Sequence, residues 1–373
     1  MSDALVTPAY GEGSLAELLP SALGALGVDG LSDVVGLPSA HGYCVLLVDG
    51  LGWLQLREHP AAAPFLSSLP GRSITTPVPS TTAASITTLG TGLPPGRHGL
   101  VGYLSRIPGT LSLLNALEWD AGIDPGSYQP YPDMFARAQA DGVFTRVVSK
   151  RRFAGSGLTR AALSGAPFRG ADTIGERVDA VERAFDEAGD TPALVYAYES
   201  DLDSTGHRHG PLSGAWRHQL TAVDSFAQQL ADVLPPDVAL VVTGDHGMVD
   251  VTADDHIDVD ATPGLVEQVV LIGGEPRFRH VYTTPGAADE VAGRWASALG
   301  SRALVRTQQQ AVAAGWFGAV DDRVRDRIGD VVVAALGSHV LLVPSVWPRE
   351  ARMRGHHGSI TDREMLVPCL VAT

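Results

Sequence analysis

Carboxylate and imidazole groups recur in this chain at spacings a metal ion could use. Asp245 and His246 stand side by side directly after the apolar run "VALVVT" (238–243), so a charge and an imidazole follow residues that should be buried. Asp203 and His207, in "ESDLDSTGHRHGP", lie four apart with Gly206 between them, and one turn of chain lets both reach a single ion. Asp49 follows the run "YCVLLV" (43–48), and "RGHHGS" at 354–359 supplies His356 and His357. Carboxylate plus imidazole is the ligand set of zinc or manganese, whereas calcium and magnesium favour oxygen alone. Together these groups could furnish two sites.

A second feature is the hydroxyl-rich stretch "VPSTTAASITTLGTG" (78–92). Such runs commonly form solvated linkers, but Ala84, Ile86 and Leu89 recur here at roughly helical spacing after a proline. The alternative to a linker is a helix that opens on a reactive hydroxyl. Free backbone N–H groups and the helix dipole at that end favour a phosphoryl anion.

Elements able to position these groups are legible around them. The runs 43–48, 193–198, 238–243 and 340–345 read as buried strands without alternation, and 175–189 and 215–233 read as helices. Continuous apolar strands separated by helix-length stretches predict an α/β fold, with a mostly parallel central sheet covered by helices on both faces. Three of the runs end in polar clusters, where ligands of open parallel sheets bind. A single domain over 1–373 is expected, with residues 250–354 as a smaller inserted cap before a last apolar run at 364–372.

The totals narrow the function. The 373 residues are 45% apolar and carry a formal net charge of −15. That acidity argues against a broad nucleic-acid-binding surface, although bound divalent metals can reverse the local sign for a phosphate substrate. Cys44 and Cys369 lie inside apolar runs and read as buried thiols. The N-terminal stretch lacks the basic and apolar regions of a signal peptide, and no apolar run approaches the ~20 residues of a membrane span. A soluble, cytoplasmic protein without a membrane partner is expected.

With Asp49 after the first strand, a Thr at a helix start, "DSTGHRHGP", "GDHGM" and a late "HG", the chain resembles the alkaline phosphatase superfamily, and within it the nucleotide pyrophosphatase/phosphodiesterase branch. The resemblance implies two divalent metals, zinc or alternatively manganese. Asp49, Asp245 and His246 would hold one, shared with the nucleophile, and Asp203, His207 and His357 the other. It selects His357 over His356 because the family places its ligand directly before Gly, here Gly358. The nucleophile of the family follows P-S/T-x, which is Thr82. The implied activity is hydrolysis of phosphodiester or pyrophosphate bonds in a small-molecule phosphate ester such as a nucleotide, through a phosphothreonine.

Tyr103 stands where the branch commonly has an Asn that binds a phosphate oxygen, and a phenol can donate the same hydrogen bond. His98 reads as structural and His209 as a group outside the ligand set. The basic clusters "SKRRF" (149–153) and "GEPRFRHVY" (274–282), the latter with Arg277 and Arg279, are either solvated faces or readers of the rest of the substrate. Three alternatives stay in view. A phosphomonoesterase or a phosphonoacetate hydrolase-type enzyme would use the same site. A nucleotide-binding dehydrogenase would need a glycine where Gln55 follows "VLLVDGLGW".

Overall fold

Side chains of the strand Gly42–Val48 divide by turn between two cores: Tyr43, Val45 and Leu47 join one, Cys44, Leu46 and Val48 the other. A strand apolar on both faces needs cover on both, which is why its sequence shows no alternation. The helices Leu15–Ala25 and Thr82–Thr91 cover the first face, and Ile174–Ala188 and Gly214–Val233 cover the second. The computed structural model describes residues 4–119 and 122–373.

In chain order the principal strands are β1 (Gly42–Val48), β2 (Gly71–Thr75), β3 (Phe144–Ser149), β4 (Phe168–Gly170), β5 (Ala193–Glu199), β6 (Val238–Gly244), β7 (Val269–Glu275), β8 (Phe278–Thr283), β9 (Ala303–Thr307), β10 (Val331–Ala335) and β11 (Leu366–Ala372). The central sheet has the order β2-β11-β6-β1-β5-β3-β4. Pairing is parallel from β6 through β4, and β11 is antiparallel to both its neighbours. Val48 lies opposite both Glu199 and Gly244, so Asp49, Ser200 and Asp245 leave the sheet at one level.

The mostly parallel α/β sheet agrees with the sequence reading, with one correction. The run 340–345 does not enter the central sheet: Val340–Leu342 pairs with His256–Asp258 in a separate two-stranded ladder. The place between β6 and β2 belongs to β11, from the run at 364–372. Apolar continuity reports burial and not which sheet a strand joins. The two predicted helices start one residue early, where Thr173 and Ser213 cap them.

The hydroxyl-rich stretch is a helix, Thr82–Thr91, buried beyond its first residue and closed by Gly92 at φ 66°. Buried hydroxyls need partners, and the helix supplies them: Thr87 Oγ1 donates to the Ala83 carbonyl at 2.8 Å and Thr91 Oγ1 to the Thr87 carbonyl at 2.6 Å. Cys44 and Cys369 are buried free thiols. Among the described residues, no helix is long and apolar enough to cross a membrane.

Between residues 250 and 354 the chain builds a second, antiparallel sheet of order β7-β8-β10-β9. Val281, Val331 and Val333 pack on Trp295, while Phe278, Val332 and Ala334 pack with Trp316 and Phe317. Buried ion pairs tie this sheet to its surroundings. Arg277 donates from Nε and Nη2 to Glu364 at 3.0 and 2.6 Å, with both side chains fully buried just ahead of β11. Arg279 pairs with Glu350 and also donates to the Leu341 carbonyl.

Neither arginine reads a substrate, as the sequence suggested; both guanidiniums are spent inside the protein. Arg277→Leu is therefore expected to lower the unfolding free energy by about 3–5 kcal/mol, because Glu364 would be left buried without its partner. Urea denaturation measures this, and a loss under ~1 kcal/mol would show that the pair is of no structural consequence.

Candidate active site

Strand ends bring the predicted ligands together. Asp49 follows β1, Asp245 and His246 follow β6, and Asp203 and His207 sit on the helix Asp201–His209 that follows β5. His357 follows the short strand Gly355–His356. Ligand atoms of Asp49, Asp245 and His246 all lie within 4.8 Å of one another, and so do those of Asp203, His207 and His357. His246 Nε2 is 3.5 Å from Asp49 Oδ1 and 3.4 Å from Asp245 Oδ2. His207 Nε2 is 3.3 Å from Asp203 Oδ2, and His357 Nε2 is 3.8 Å from Asp203 Oδ1.

The two sets adjoin. The rings of His246 and His357 stack with centroids 3.5 Å apart and an interplanar angle of 11°. Gly50, at φ 75°, lets the chain after Asp49 pass close to Asp203, where a Cβ would fall 3.0 Å from the Asp203 Cα.

The donor chemistry fits divalent metals. Nδ1 of His207, His246 and His357 lies 2.8, 3.0 and 2.9 Å from the carbonyl oxygens of Gly355, Gly247 and Ser80. A carbonyl only accepts, so each Nδ1 carries the hydrogen and each Nε2 presents a lone pair to the site. Asp203 Oδ1 and Asp245 Oδ2 are buried and lack hydrogen-bond partners. Burial, reinforced by the charges of Asp245 and Asp203, holds the Asp49 carboxyl well above the usual range. Burial raises Asp245 too, against the opposing effects of His246 and the Gly50 N–H. His357 is pushed well below the usual imidazole range by burial and its histidine neighbours. Acidic groups that resist ionising and imidazoles that resist protonation are what a cation would relieve.

Thr82 is the first residue of its helix, with Thr81 as N-cap. Its Oγ1 lies 3.2 Å from His246 Nε2 and 3.5 Å from Asp49 Oδ1, against the first ligand set. The helix start also leaves backbone N–H groups without intrahelical partners beside it. Thr82, Asp49 of the first set and all three members of the second border a cavity of about 440 Å³. Val147, Phe153, Leu158, Leu163 and Phe168 give one part of it an apolar wall, with Tyr196 and Tyr198 beside them.

The remaining candidates are placed as follows. Tyr103 lines the cavity, its hydroxyl donating to Glu350 Oε1 at 3.2 Å. Within "SKRRF", Lys150 pairs with Asp201 and Arg151 with Asp172 and Glu176. Arg152 lines the cavity and, among the described residues, forms no ion pair. His98 is buried between Thr88 and the Leu100 N–H, and burial lowers it to about 3, so it is a neutral structural group. His209 is exposed and outside both sets.

Three supporting residues escaped the sequence reading. Tyr198 donates its hydroxyl to Asp49 Oδ2. Thr76 Oγ1 donates to the Asp245 carbonyl at 2.5 Å and meets Ser85 Oγ at 2.8 Å. Ser80 Oγ donates to the Ser359 carbonyl at 2.7 Å and accepts from the Gly358 N–H at 3.2 Å. The available signals were a phenol near the end of an apolar run and hydroxyls ahead of the helix, neither of which names a partner.

Comparison with known proteins gives a family. The profile described as type I phosphodiesterase/nucleotide pyrophosphatase matches residues 43–360. Murine ectonucleotide pyrophosphatase/phosphodiesterase 5 superposes over 88% of this chain and 87% of its own, with TM-score 0.70 and 20% identity. An inactive form of that protein in complex with AMP gives 0.71 at 20% identity over the same shares. At that identity the likeness speaks for the fold. The catalytic subunit of human GPI ethanolamine phosphate transferase 3 is 31% identical over 93 residues, 24% of this chain and 8% of that protein. Its mouse counterpart is 33% identical over 86 residues, 22% of this chain and 8% of that protein. The chain thus spans less than a tenth of these curated relatives. Since the profile runs through most of the chain and every predicted ligand, the protein belongs to the type I phosphodiesterase/nucleotide pyrophosphatase family, with an alkaline-phosphatase-like α/β fold.

Proposed function

We propose that the protein hydrolyses phosphodiester or pyrophosphate bonds of a small-molecule, nucleotide-type substrate through a phosphothreonine on Thr82. The observation that carries this is Thr82 Oγ1 at a helix N-terminus, 3.2 and 3.5 Å from two members of one ligand set. Thr82 Oγ1 would bond to phosphorus as the bond to the leaving oxygen breaks, the hydroxyl proton passing to solvent and the leaving alkoxide taking one from it. Water would then split the phosphothreonine and regenerate the hydroxyl.

Asp49, Asp245 and His246, with Thr82, would hold one zinc, and Asp203, His207 and His357 a second; manganese is the alternative. Such ions supply positive charge that acidifies a hydroxyl and neutralises phosphoryl oxygens. The helix amides add donors for the same oxygens. The apolar wall suits a planar substituent, and the murine relative's complex with AMP supports a nucleotide there.

Three outcomes are expected. Thr82→Ala should lower kcat by at least about a thousandfold with metal content little changed, and Thr82→Ser should retain part of the activity. Elemental analysis and steady-state kinetics with bis-p-nitrophenyl phosphate decide it; a Thr82→Ala variant with a tenth of wild-type kcat would remove the nucleophile from the scheme.

Diesters should be turned over faster than monoesters. Among the cavity-lining residues Arg152 is the one Arg or Lys, an exposed side chain engaged with Ser200 Oγ at 3.4 Å, so a monoester's second charge lacks a dedicated cation. A higher kcat/KM for p-nitrophenyl phosphate or phosphonoacetate would favour the alternative hydrolase readings.

Above about pH 7, where the buried histidines are neutral in both the folded and the unfolded chain, metal-free protein should lose stability as pH rises. The raised carboxyls of Asp49 and Asp245 bind protons more tightly when folded, so their ionisation above the ordinary carboxylate range disfavours the native state. Added zinc should therefore raise Tm more at pH 8 than at pH 5. Equal melting with and without metal at pH 8 would count against the ligand sets.

A further inference from the structure

Beside the ligands, Thr82, Arg152 and several hydroxyl groups, the polar lining of the cavity includes Tyr103, Glu275, Glu350 and His356. Glu275 ends β7 and is 3% exposed. Its Oε1 has no hydrogen-bond partner, and its Oε2 accepts only a 3.4 Å bond from the Tyr103 N–H. The nearby cations are used elsewhere: Arg277 serves Glu364 and the His339 carbonyl, and Arg279 serves Glu350 and the carbonyls of Gly274 and Leu341. The chain nonetheless makes room for this carboxyl. Gly358, at φ 131°, presses so close that a Cβ would fall 2.5 Å from the Glu275 Cγ.

His356 is 1% exposed, and its Nε2 likewise has no partner. The ring bonds the Met353 carbonyl, which leaves Nδ1 as the donor and Nε2 as an acceptor. Unpartnered buried acceptors are uncommon and costly in a folded protein, and two of them here border the substrate cavity.

We propose that this lining binds a primary ammonium group carried by one substituent of the phosphodiester, an aminoalkyl ester; the inference rests on the phosphodiesterase reading. A buried carboxyl with no ion pair of its own among the described residues has a use for a positive charge, which a neutral hydroxyl does not bring. An ammonium has N–H donors for Glu275 and for the other acceptors of the lining, Glu350 and His356. A quaternary ammonium has none and is held by aromatic cages, whereas Tyr103 is the one aromatic carbon ring in this group. A metal ion fits poorly: among the described residues these three side chains do not bring their ligand atoms within 4.8 Å of one another, as the two metal sets do. That spread suits N–H···O distances of about 2.9 Å better than metal bonds of about 2 Å. Burial pushes Glu275 up to about 8 against the opposing effects of the Tyr103 N–H and Arg279, and a bound ammonium would favour its ionised form.

The test compares 2-aminoethyl 1-naphthyl phosphate with ethyl 1-naphthyl phosphate on the zinc-loaded protein, with all products quantified so that cleavage of either ester bond is seen. The expected result is a kcat/KM at least about tenfold higher for the aminoethyl ester, carried by KM. Glu275→Gln, nearly isosteric and without the charge, should collapse that ratio toward one, and Glu275→Asp should restore part of it. Equal kcat/KM for the two esters on the wild-type protein, or a ratio that survives in a folded Glu275→Gln variant, overturns the site. Absence of turnover of both esters and of bis-p-nitrophenyl phosphate overturns the phosphodiesterase reading along with it.

Discussion

Three carboxylates, those of Asp49, Asp203 and Asp245, are held within electrostatic reach of one another where burial denies them water, and the remainder of the architecture serves to keep them there. Asp245 and Asp203 each oppose ionisation of Asp49. In a yielding scaffold the chain would relax and let the groups separate. Here β1 is clamped between β5 and β6 in continuous parallel register, with both faces buried, so the residues leaving these strands have little freedom. Local bonds complete the restraint: the N–H groups of Gly50 and His246 donate to Asp245 Oδ1 at 2.9 and 3.0 Å, and Tyr198 donates to Asp49. Carboxyls whose ionisation burial and mutual repulsion oppose would gain from a bound cation.

Thr82, the proposed nucleophile, is fixed relative to the second ligand set by backbone, through Ser80. The Ser80 N–H donates to the Gly358 carbonyl at 3.1 Å, its hydroxyl bridges Gly358 and Ser359, and its carbonyl accepts from His357 Nδ1. Two residues later comes Thr82. A segment far away in sequence is thereby locked to the start of the reactive helix, and a shift of one would move the other. Groups that must act on one phosphorus atom need such coupling, because small errors of position are expensive in rate.

The site was more legible than the parts that surround it, for a physical reason. Metal ligands advertise themselves, since charged and imidazole side chains directly after apolar strands have few other uses, and parallel strands bring their ends together by topology. All six predicted carboxylate and imidazole ligands meet in two sets, and the hydroxyl-rich run contains the helix that presents Thr82. Arg277 and Arg279 were misleading because a cation in sequence carries no sign of whether its partner is a substrate or a glutamate 71 to 87 positions away. The run 340–345 misled similarly, its burial being correct and its sheet wrong. Ser80, Thr76 and Tyr198 were silent, since a hydroxyl declares its partner only once the fold is closed.

Chemistry and selectivity are consequently carried by different segments. The groups that would attack and hold phosphorus come from the ends of β1, β5 and β6, the start of one helix and the loop at His357. Other cavity walls come from elsewhere: Val147 to Phe168 supply apolar surface and Arg152, while Glu275, Glu350 and His356 supply acceptors. A phosphodiester has two substituents, and a cavity with an apolar wall and an acidic lining can treat them unequally. The core sheet can then keep its geometry while the walls vary, because the ion pairs that brace the second sheet, Arg277 with Glu364 and Arg279 with Glu350, do not include the ligands. Substrate choice would then be set by what the walls leave unsatisfied, and the free Oε1 of the buried Glu275 is one such imbalance outside the two ligand sets.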